Sequence, residues 1–390
     1  MEPKRRRIAV VIPKYGLTGG AEGFAAELTE RIARDGRYEV HVFANRWTAL
    51  SERVTFHRVP IIAFPKFLTT ISFAWFARRL LARMDFDLVH AQDRIFAADL
   101  FTMHGIPHRL WMREIRKKHL RLPDRATAWV EKTLVGNERC RYFLAVSELA
   151  KEKFLEVYKK DPPLVEVVSP GVDAERYQHL DRGRCRREIR KYYGIGSTDI
   201  LLLFVSMNFE VKGLDRLIEA LAVLKTGSPG GQFKLLVVGK GNVRKFSRLA
   251  GKLNVQDQVI FAGTMEKAQL DQAYLASDIF SIFSSFDTFG MVVLEAMAAS
   301  LPVVISANVG AKDLVREGSN GFIIEAGADA ALIAKKFLEL SDAPLRAQMG
   351  AAALQTARRH SWEKAAGRTL EIYDEILQGR VNRKGSRWQR

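Results

Sequence analysis

Cysteine is almost missing from these 390 residues, with Cys140 and Cys185 the whole supply. Two thiols cannot build a disulfide framework, and usage this sparse suits a reducing compartment, so a cytoplasmic location is expected. Long apolar runs are missing too: the longest, Ile200 to Val205, is far short of a membrane-spanning helix. Lys4-Arg5-Arg6-Arg7 ahead of Ile8 to Pro13 looks like the opening of a secretion signal, but Lys14 interrupts a run too short for one. There is no internal repeat, no His/Cys/Asp cluster at metal-ligand spacing and no recognised nucleic-acid motif. A Walker lysine is absent, and Thr18 stands where the dinucleotide fingerprint needs its first glycine, counted back from Gly20 and Gly23.

What remains is an ordinary globular composition, 47% hydrophobic and 27% charged, long enough for two domains with large cores. Its charge is less ordinary. With 61 Lys and Arg against 44 Asp and Glu the chain carries +17, a field that attracts phosphate on nucleic acid or on an anionic lipid surface, although a generically basic enzyme is the plainer reading. Strand-length apolar runs alternate with helical patterns throughout: Ile8–Ile12, Val40–Phe43, Leu88–His90 and Phe143–Val146, then Leu201–Val205, Lys234–Val238, Val259–Phe261, Ile279–Phe283, Val303–Ile305 and Gly321–Ile324. Strands so continuously apolar are buried on both faces, which predicts an α/β chain of mostly parallel, doubly wound sheets. Pro170-Gly171, a turn signal after Val165–Val168, divides the chain into an N-terminal domain, 1–170, and a C-terminal domain, 171–361. A helix over 362–378, with Ser361 as its cap, is expected to return to the first domain, and 379–390, with five basic residues, to be a mobile tail.

Two segments carry candidate chemistry. Gly16, Gly19, Gly20 and Gly23 precede the helix predicted over Phe24–Arg34, so that backbone amides and a helix N-terminus can approach an anion; an ordinary flexible turn is the competing reading. The stronger segment, Ser285 to Val304, puts Asp287 and Gly290 in a loop and starts a helix near Met291 with Glu295 in its second turn. Carboxylates eight positions apart can grip two hydroxylated parts of one ligand, while the amides of Gly290 to Val292 face phosphates between them.

The pattern Asp287-x7-Glu295 resembles the E-x7-E signature of the retaining GT-B glycosyltransferases of family 4. Gly19–Glu22, Phe204–Leu221, Leu236–Gly241, Val259–Gly263 and Gly310–Phe322 resemble further segments of that family in the same order, over nearly the whole chain. Within it, Lys212–Leu221 and Arg244–Val255 are most similar to the branch of glucosyltransferases that build the lipopolysaccharide inner core. The resemblance implies two Rossmann-like domains, acceptor-binding and nucleotide-sugar-binding, facing across a cleft. It implies transfer of a hexose with retention, from a nucleotide diphosphate sugar such as UDP-glucose to a glycolipid hydroxyl, without a metal ion or other cofactor.

Carried over by position, Glu295 would hold the ribose hydroxyls and Asp287 those of the donor sugar. The amides of Phe289, Gly290, Met291 and Val292 would take the sugar and distal phosphate. Lys212 would neutralise the departing diphosphate, Gly19 and Gly20 would approach it from the first domain, and backbone near Gly263 and Met265 would read the base. Two departures stand out: Asp287 is one methylene shorter than the usual Glu, and Met207 and Val211 occupy the positions where the family carries an arginine beside Lys212, leaving Arg244 or Lys240 as substitutes. His104 matches a family histidine near the donor sugar, with a structural loop histidine as the alternative, and His90 reads as packing. Seven basic residues lie between Arg109 and Arg125 against Glu114 and Asp124. On one helix Trp111, Ile115 and Leu122 would share a side opposite Arg109, Arg113, Arg116 and Lys117, a pattern for contact with an anionic membrane that would include Lys118; a solvated basic face is the alternative. Pro65–Arg83 is expected to be a core helix. A nucleotide-sugar 2-epimerase on the same scaffold and a nucleic-acid-binding protein are the rival functions; the paired carboxylates count against the second, so no nucleic-acid partner is expected.

Overall fold

The computed structural model describes residues 5–17, 19–161, 164–227 and 232–381; Thr18 and most of the basic tail, 382–390, lie outside the described residues. The chain divides into two units, Met1–Pro170 with Trp362–Arg390, and Gly171–Ser361.

In the first unit the strands are β1 (Arg6–Val11), β2 (Lys14–Tyr15), β3 (Tyr38–Ala44), β4 (Arg46–Trp47), β5 (Val54–Arg58), β6 (Leu88–Ala91), β7 (Leu100–Met103), β8 (Tyr142–Ala145) and β9 (Val165–Val167). Seven of them form one sheet in the order β5-β3-β1-β6-β7-β8-β9, parallel at every pairing, and β2 pairs with β4. Every residue of β6 and β7 is buried, as a strand covered by helices on both faces requires. The edge strand β5 buries only Val54, so its run Val-Thr-Phe-His-Arg carries no continuous apolar signal and was not among the predicted strands. The helix Leu68–Leu81 buries Phe73, Ala74, Ala77 and Leu81, the spacing of a core-facing stripe. The closing helix, Trp362–Val381, belongs to this unit: Tyr38 donates to Asp374 at 2.8 Å and Arg368 to Glu166 at 2.7 Å.

The second unit holds β10 (Ile200–Ser206), β11 (Phe233–Gly239), β12 (Val259–Gly263), β13 (Ile279–Ile282), β14 (Val303–Ser306) and β15 (Gly321–Ile324), again all parallel, in the order β12-β11-β10-β13-β14-β15. All seven residues of β10 are buried. Both sheets are therefore doubly wound. Strand order reverses between β1 and β6 in the first and between β10 and β13 in the second, and in open sheets of this kind ligands bind outside the carboxyl ends of the strands at that reversal.

One expectation is corrected. Arg109–Leu122 is not one amphipathic helix: a short helix, His108–Leu110, passes into a π-helical turn, Trp111–Ile115. Lys117 then adopts a left-handed backbone with φ 48°, which ends helical continuation, and a new helix, Leu122–Gly136, opens with Asp124 accepting from the Arg121 amide at 3.0 Å. Trp111, Ile115 and Leu122 thus do not line one helix.

Candidate active site

In the second unit the loops leaving β10 and β13 are laced together. Phe283 N donates to Lys212 O at 3.1 Å and Ser285 N to Val211 O at 2.8 Å. Gly213, at φ 71°, permits that approach, because a Cβ there would sit 2.2 Å from Phe283 O. The lacing puts the Lys212 ammonium directly against the Asp287 carboxylate. Two residues given separate roles in the sequence are therefore ion-paired with each other.

Asp287 is held from the other side as well. Its N–H donates to Asn308 O at 2.9 Å and its carbonyl accepts from Gly310 N at 2.9 Å. Gly290, left-handed at φ 90°, then caps the helix Met291–Ala298, and a Cβ on it would meet Val309 Cγ1 at 2.8 Å. The amides of Met291 and Val292 begin that helix without intrahelical acceptors, at its positive end. Phe289 has a buried side chain and a carbonyl taken by Ala311 N, so its N–H is what it can offer a ligand.

Glu295 lies one turn further on. Tyr274 Oη donates to Glu295 Oε2 at 2.9 Å. Desolvation pushes the Glu295 carboxyl above its ordinary range, against the pull of the Arg176 guanidinium and the Tyr274 hydroxyl. Arg176 in turn donates to Asp271 Oδ1 at 2.8 Å and Tyr177 Oη at 2.6 Å. Gly263 ends β12 at φ 73°, and Met265 follows, just ahead of the helix Lys267–Ala276 that carries Asp271 and Tyr274. Arg176, Asp271 and Tyr274 were not singled out in the sequence, since a polar residue on an amphipathic helix carries no mark of its neighbour across the fold. Of the substitutes for the missing arginine, Lys240 has its N–H on Ser206 O at 2.9 Å, which places it beside the Met207–Lys212 loop, and Arg244 is an exposed residue of the helix Val243–Lys252.

The first unit has its own concavity at the strand reversal, a cavity of about 330 Å³ whose charged lining is Lys14, Glu22, Asp93, Arg94 and Glu131. Buried Glu131 collects Arg94 Nε at 2.7 Å, Tyr158 Oη at 2.7 Å and His108 N at 3.0 Å. His104 also lines it, with Nε2 2.8 Å from Gln92 Oε1. Desolvation, helped by the nearby Arg94, drives the His104 pKa down to about 3, so the ring is neutral at physiological pH. Gly20 and Gly23 fall inside the first turn of the helix Gly20–Arg34 rather than in the loop ahead of it, with Gly19 as its cap. Gly19, Gly20 and His104 thus sit in the first unit and every other donor-site candidate in the second. Of the membrane-contact candidates, Trp111 is half-buried and Arg113 donates to Glu114 at 2.9 Å, whereas Arg116, Lys117 and Lys118 are exposed and make no ion pair among the described residues.

Among those residues no group of His, Cys, Asp or Glu is placed to hold a metal ion, and no helix is long and apolar enough to cross a membrane.

Two Rossmann-like parallel sheets, one with a cation, a carboxylate and free helix amides at its reversal point, make a GT-B architecture, that of enzymes that handle nucleotide-activated sugars. Residues 18–176 match the Glycosyltransferase Family 4 model and 186–356 the Glycosyl transferases group 1 model. A D-inositol 3-phosphate glycosyltransferase of Stackebrandtia nassauensis is 30% identical over 315 residues, 76% of this chain and 70% of that protein. Another, of Streptomyces scabiei, is 30% identical over 264 residues, 65% of this chain but only 58% of its own length. The chain belongs to this family of group 1 glycosyltransferases. Its fold is shared with WaaG, a glycosyltransferase involved in lipopolysaccharide biosynthesis (TM-score 0.78, 22% identity, 94% of this chain and 99% of that one), and with Anabaena HepE in complex with UDP-glucose (TM-score 0.72, 19% identity, 95% and 99%).

Proposed function

We propose that the protein transfers a hexose, with retention and without a metal ion, from a nucleotide diphosphate sugar, UDP-glucose by preference, to a hydroxyl of a lipopolysaccharide-core or related glycolipid acceptor. The observation that carries the donor half is the Lys212–Asp287 pair at the strand reversal beside the open amides of Met291 and Val292. A bound diphosphate competes for Lys212, freeing Asp287 for the hydroxyls of the sugar, while Glu295, held by Tyr274, takes those of the ribose. As the anomeric C–O bond breaks, its electron pair goes to the diphosphate, whose growing charge Lys212 and the helix amides oppose. The acceptor oxygen bonds to the anomeric carbon on the same face and its proton passes to the departing phosphate oxygen. The chain's share is positioning and charge stabilisation.

The acceptor half rests on the cavity of the first unit. Its three carboxylates outnumber its two cations, and one of those, Arg94, is already paired, so the lining suits an uncharged polyhydroxyl ring better than a phosphate. The HepE complex with UDP-glucose supports the donor, and the role of WaaG supports the acceptor class. The D-inositol 3-phosphate relatives name a phosphorylated polyol instead, which the balance of charge in this cavity disfavours.

We further propose peripheral attachment to the inner face of the cytoplasmic membrane through Trp111, Arg113, Arg116, Lys117 and Lys118, with Leu122, the exposed first residue of the next helix, following them in the chain. Each unpaired cation near anionic headgroups contributes about 1 kcal/mol. Replacing Arg116, Lys117 and Lys118 with Ser should therefore weaken sedimentation with phosphatidylglycerol vesicles, whereas parental binding would move the contact elsewhere.

A panel of nucleotide sugars, screened by calorimetric binding and by turnover in EDTA with the anomeric product read by NMR, tests the reaction. The expected result is tightest binding and fastest transfer with UDP-glucose and an axial product linkage. Inverted product, activity only with added divalent metal, or a 2-epimer formed without acceptor would each overturn the reading.

A further inference from the structure

Two histidines of the first unit are joined by an amide, a connection that the transfer reaction as described leaves unused. His90, on β6, is fully buried, with Nδ1 2.7 Å from Tyr373 Oη and Nε2 2.6 Å from Thr102 Oγ1. Gln92 lies just past the end of the same strand, its Nε2 against the His90 ring, 3.2 Å from Nε2 and 3.5 Å from Nδ1, and its Oε1 2.8 Å from His104 Nε2. The row runs from the closing helix, through β6 and β7, to the wall of the cavity.

The chemistry of Gln92 orders the hydrogens at the cavity end of this row. Desolvation, and for His104 the nearby Arg94, keeps both rings neutral, so each has one N–H and one lone pair. The Gln92 amino group lies against the face of the His90 ring, while Thr102 Oγ1 and Tyr373 Oη, each able to donate or accept, meet its two nitrogens in either tautomer. The Gln92 carbonyl can only accept, which requires the His104 hydrogen on Nε2. His104 Nδ1 is then a bare acceptor, and no hydrogen bond occupies it among the described residues.

We propose that Gln92, seated on the Tyr373–His90 pair, is a positioning residue that locks His104 as its Nε2–H tautomer, so that Nδ1 accepts the hydrogen of a substrate hydroxyl bound in the first unit's cavity. The identity of that hydroxyl rests on the acceptor reading above; the lock itself does not. A ring free to exchange tautomers would present a donor for part of the time and repel the hydroxyl hydrogen, and Phe24, packed edge-to-face with ring centroids 5.0 Å apart, limits any compensating rotation.

The test uses the full-length protein with 15N-labelled histidine, eight residues in all, and long-range 15N–1H correlation at pH 7, the His104 signal being assigned by its loss in His104→Asn. The expected spectrum shows His104 protonated on Nε2 alone. Gln92→Leu should give a mixture of tautomers, while Gln92→Glu, which keeps an acceptor at the same place, should restore the Nε2–H form. In kinetics Gln92→Leu should lower kcat/KM for the acceptor about tenfold, the loss expected of one hydrogen bond, with the Kd for the nucleotide sugar unchanged. A hydrogen on Nδ1 in the parent, a tautomer indifferent to Leu at position 92, or unaltered acceptor kinetics once the lock is released would each overturn the proposal. Failure of the acceptor reading looks different: the tautomer stays locked but no hydroxyl acceptor is used at all.

Discussion

The two units repeat one architecture and put opposite chemistry at the same topological place. Where the second sheet reverses, between β10 and β13, the loops bring together a lysine, a carboxylate and the open amides of a helix, groups that respond to charge. Where the first reverses, between β1 and β6, the cavity is walled by one neutral histidine, an amide, a lysine, two further carboxylates and an arginine whose charge is already met by Glu131. The contrast teaches that a doubly wound sheet supplies a location and not a ligand. The contrast is sharpest between two cations: Lys212 faces the Asp287 carboxylate beside open helix amides, whereas Arg94 is bound into the buried set Glu131, Tyr158 and His108.

Replacing each cation sharpens the comparison, and the largest effect is expected at the one that is locked. Arg94→Met leaves the buried Glu131 carboxylate without its counter-ion and should cost about 3–5 kcal/mol of folding stability, read as a lower midpoint in urea, with nucleotide-sugar affinity in the remaining folded protein unchanged. A stable variant with weakened donor binding would erase the distinction between the two sites.

At the other reversal the loss should be kinetic. Lys212→Ala should lower kcat by roughly 100- to 1,000-fold while changing donor Kd far less, because charge on the diphosphate grows as the glycosidic bond breaks. Glu295→Ala should cost about 2–4 kcal/mol in kcat/KM by leaving ribose hydroxyls unpaired, and Asp287→Ala should alter discrimination among sugars more than affinity for free UDP. Equal weakening of UDP and UDP-sugar by Asp287→Ala would remove that carboxylate from the sugar.

The smallest effect separates the units by pH. His90 is fully buried and its pKa is pushed by desolvation from 6.5 to about 3, so the folded protein keeps it neutral where the unfolded chain binds a proton. Its contribution is therefore whole above pH 6.5 and lost as pH falls towards 3, at about 1.4 kcal/mol per pH unit. Denaturation midpoints of the parent and His90→Asn measured from pH 7 to pH 5 should converge, and parallel curves would show that His90 is not the titrating group.

How far the sequence reaches can be followed residue by residue. The runs Ile8–Ile12 and Leu201–Val205 announced parallel sheets because a strand covered on both faces has no polar side to interrupt it, and β10 is buried along its whole length. Asp287, Gly290 and Glu295 were legible because a loop and the first turns of a helix keep their spacing in the chain itself. The edge strand β5 was not, since one open face dilutes its pattern, and Arg109–Leu122 misled because basic residues at helical spacing do not reveal a left-handed Lys117. Beyond that, only the tertiary structure decides. That Lys212 meets Asp287, that Tyr274 and Arg176 surround Glu295, and that Gln92 joins His90 to His104 depends on strand order and on which loops it makes neighbours. Periodicity records how each segment buries its own face, but the partner of a charge is chosen by packing between segments distant in sequence, where the low dielectric makes pairing matter most.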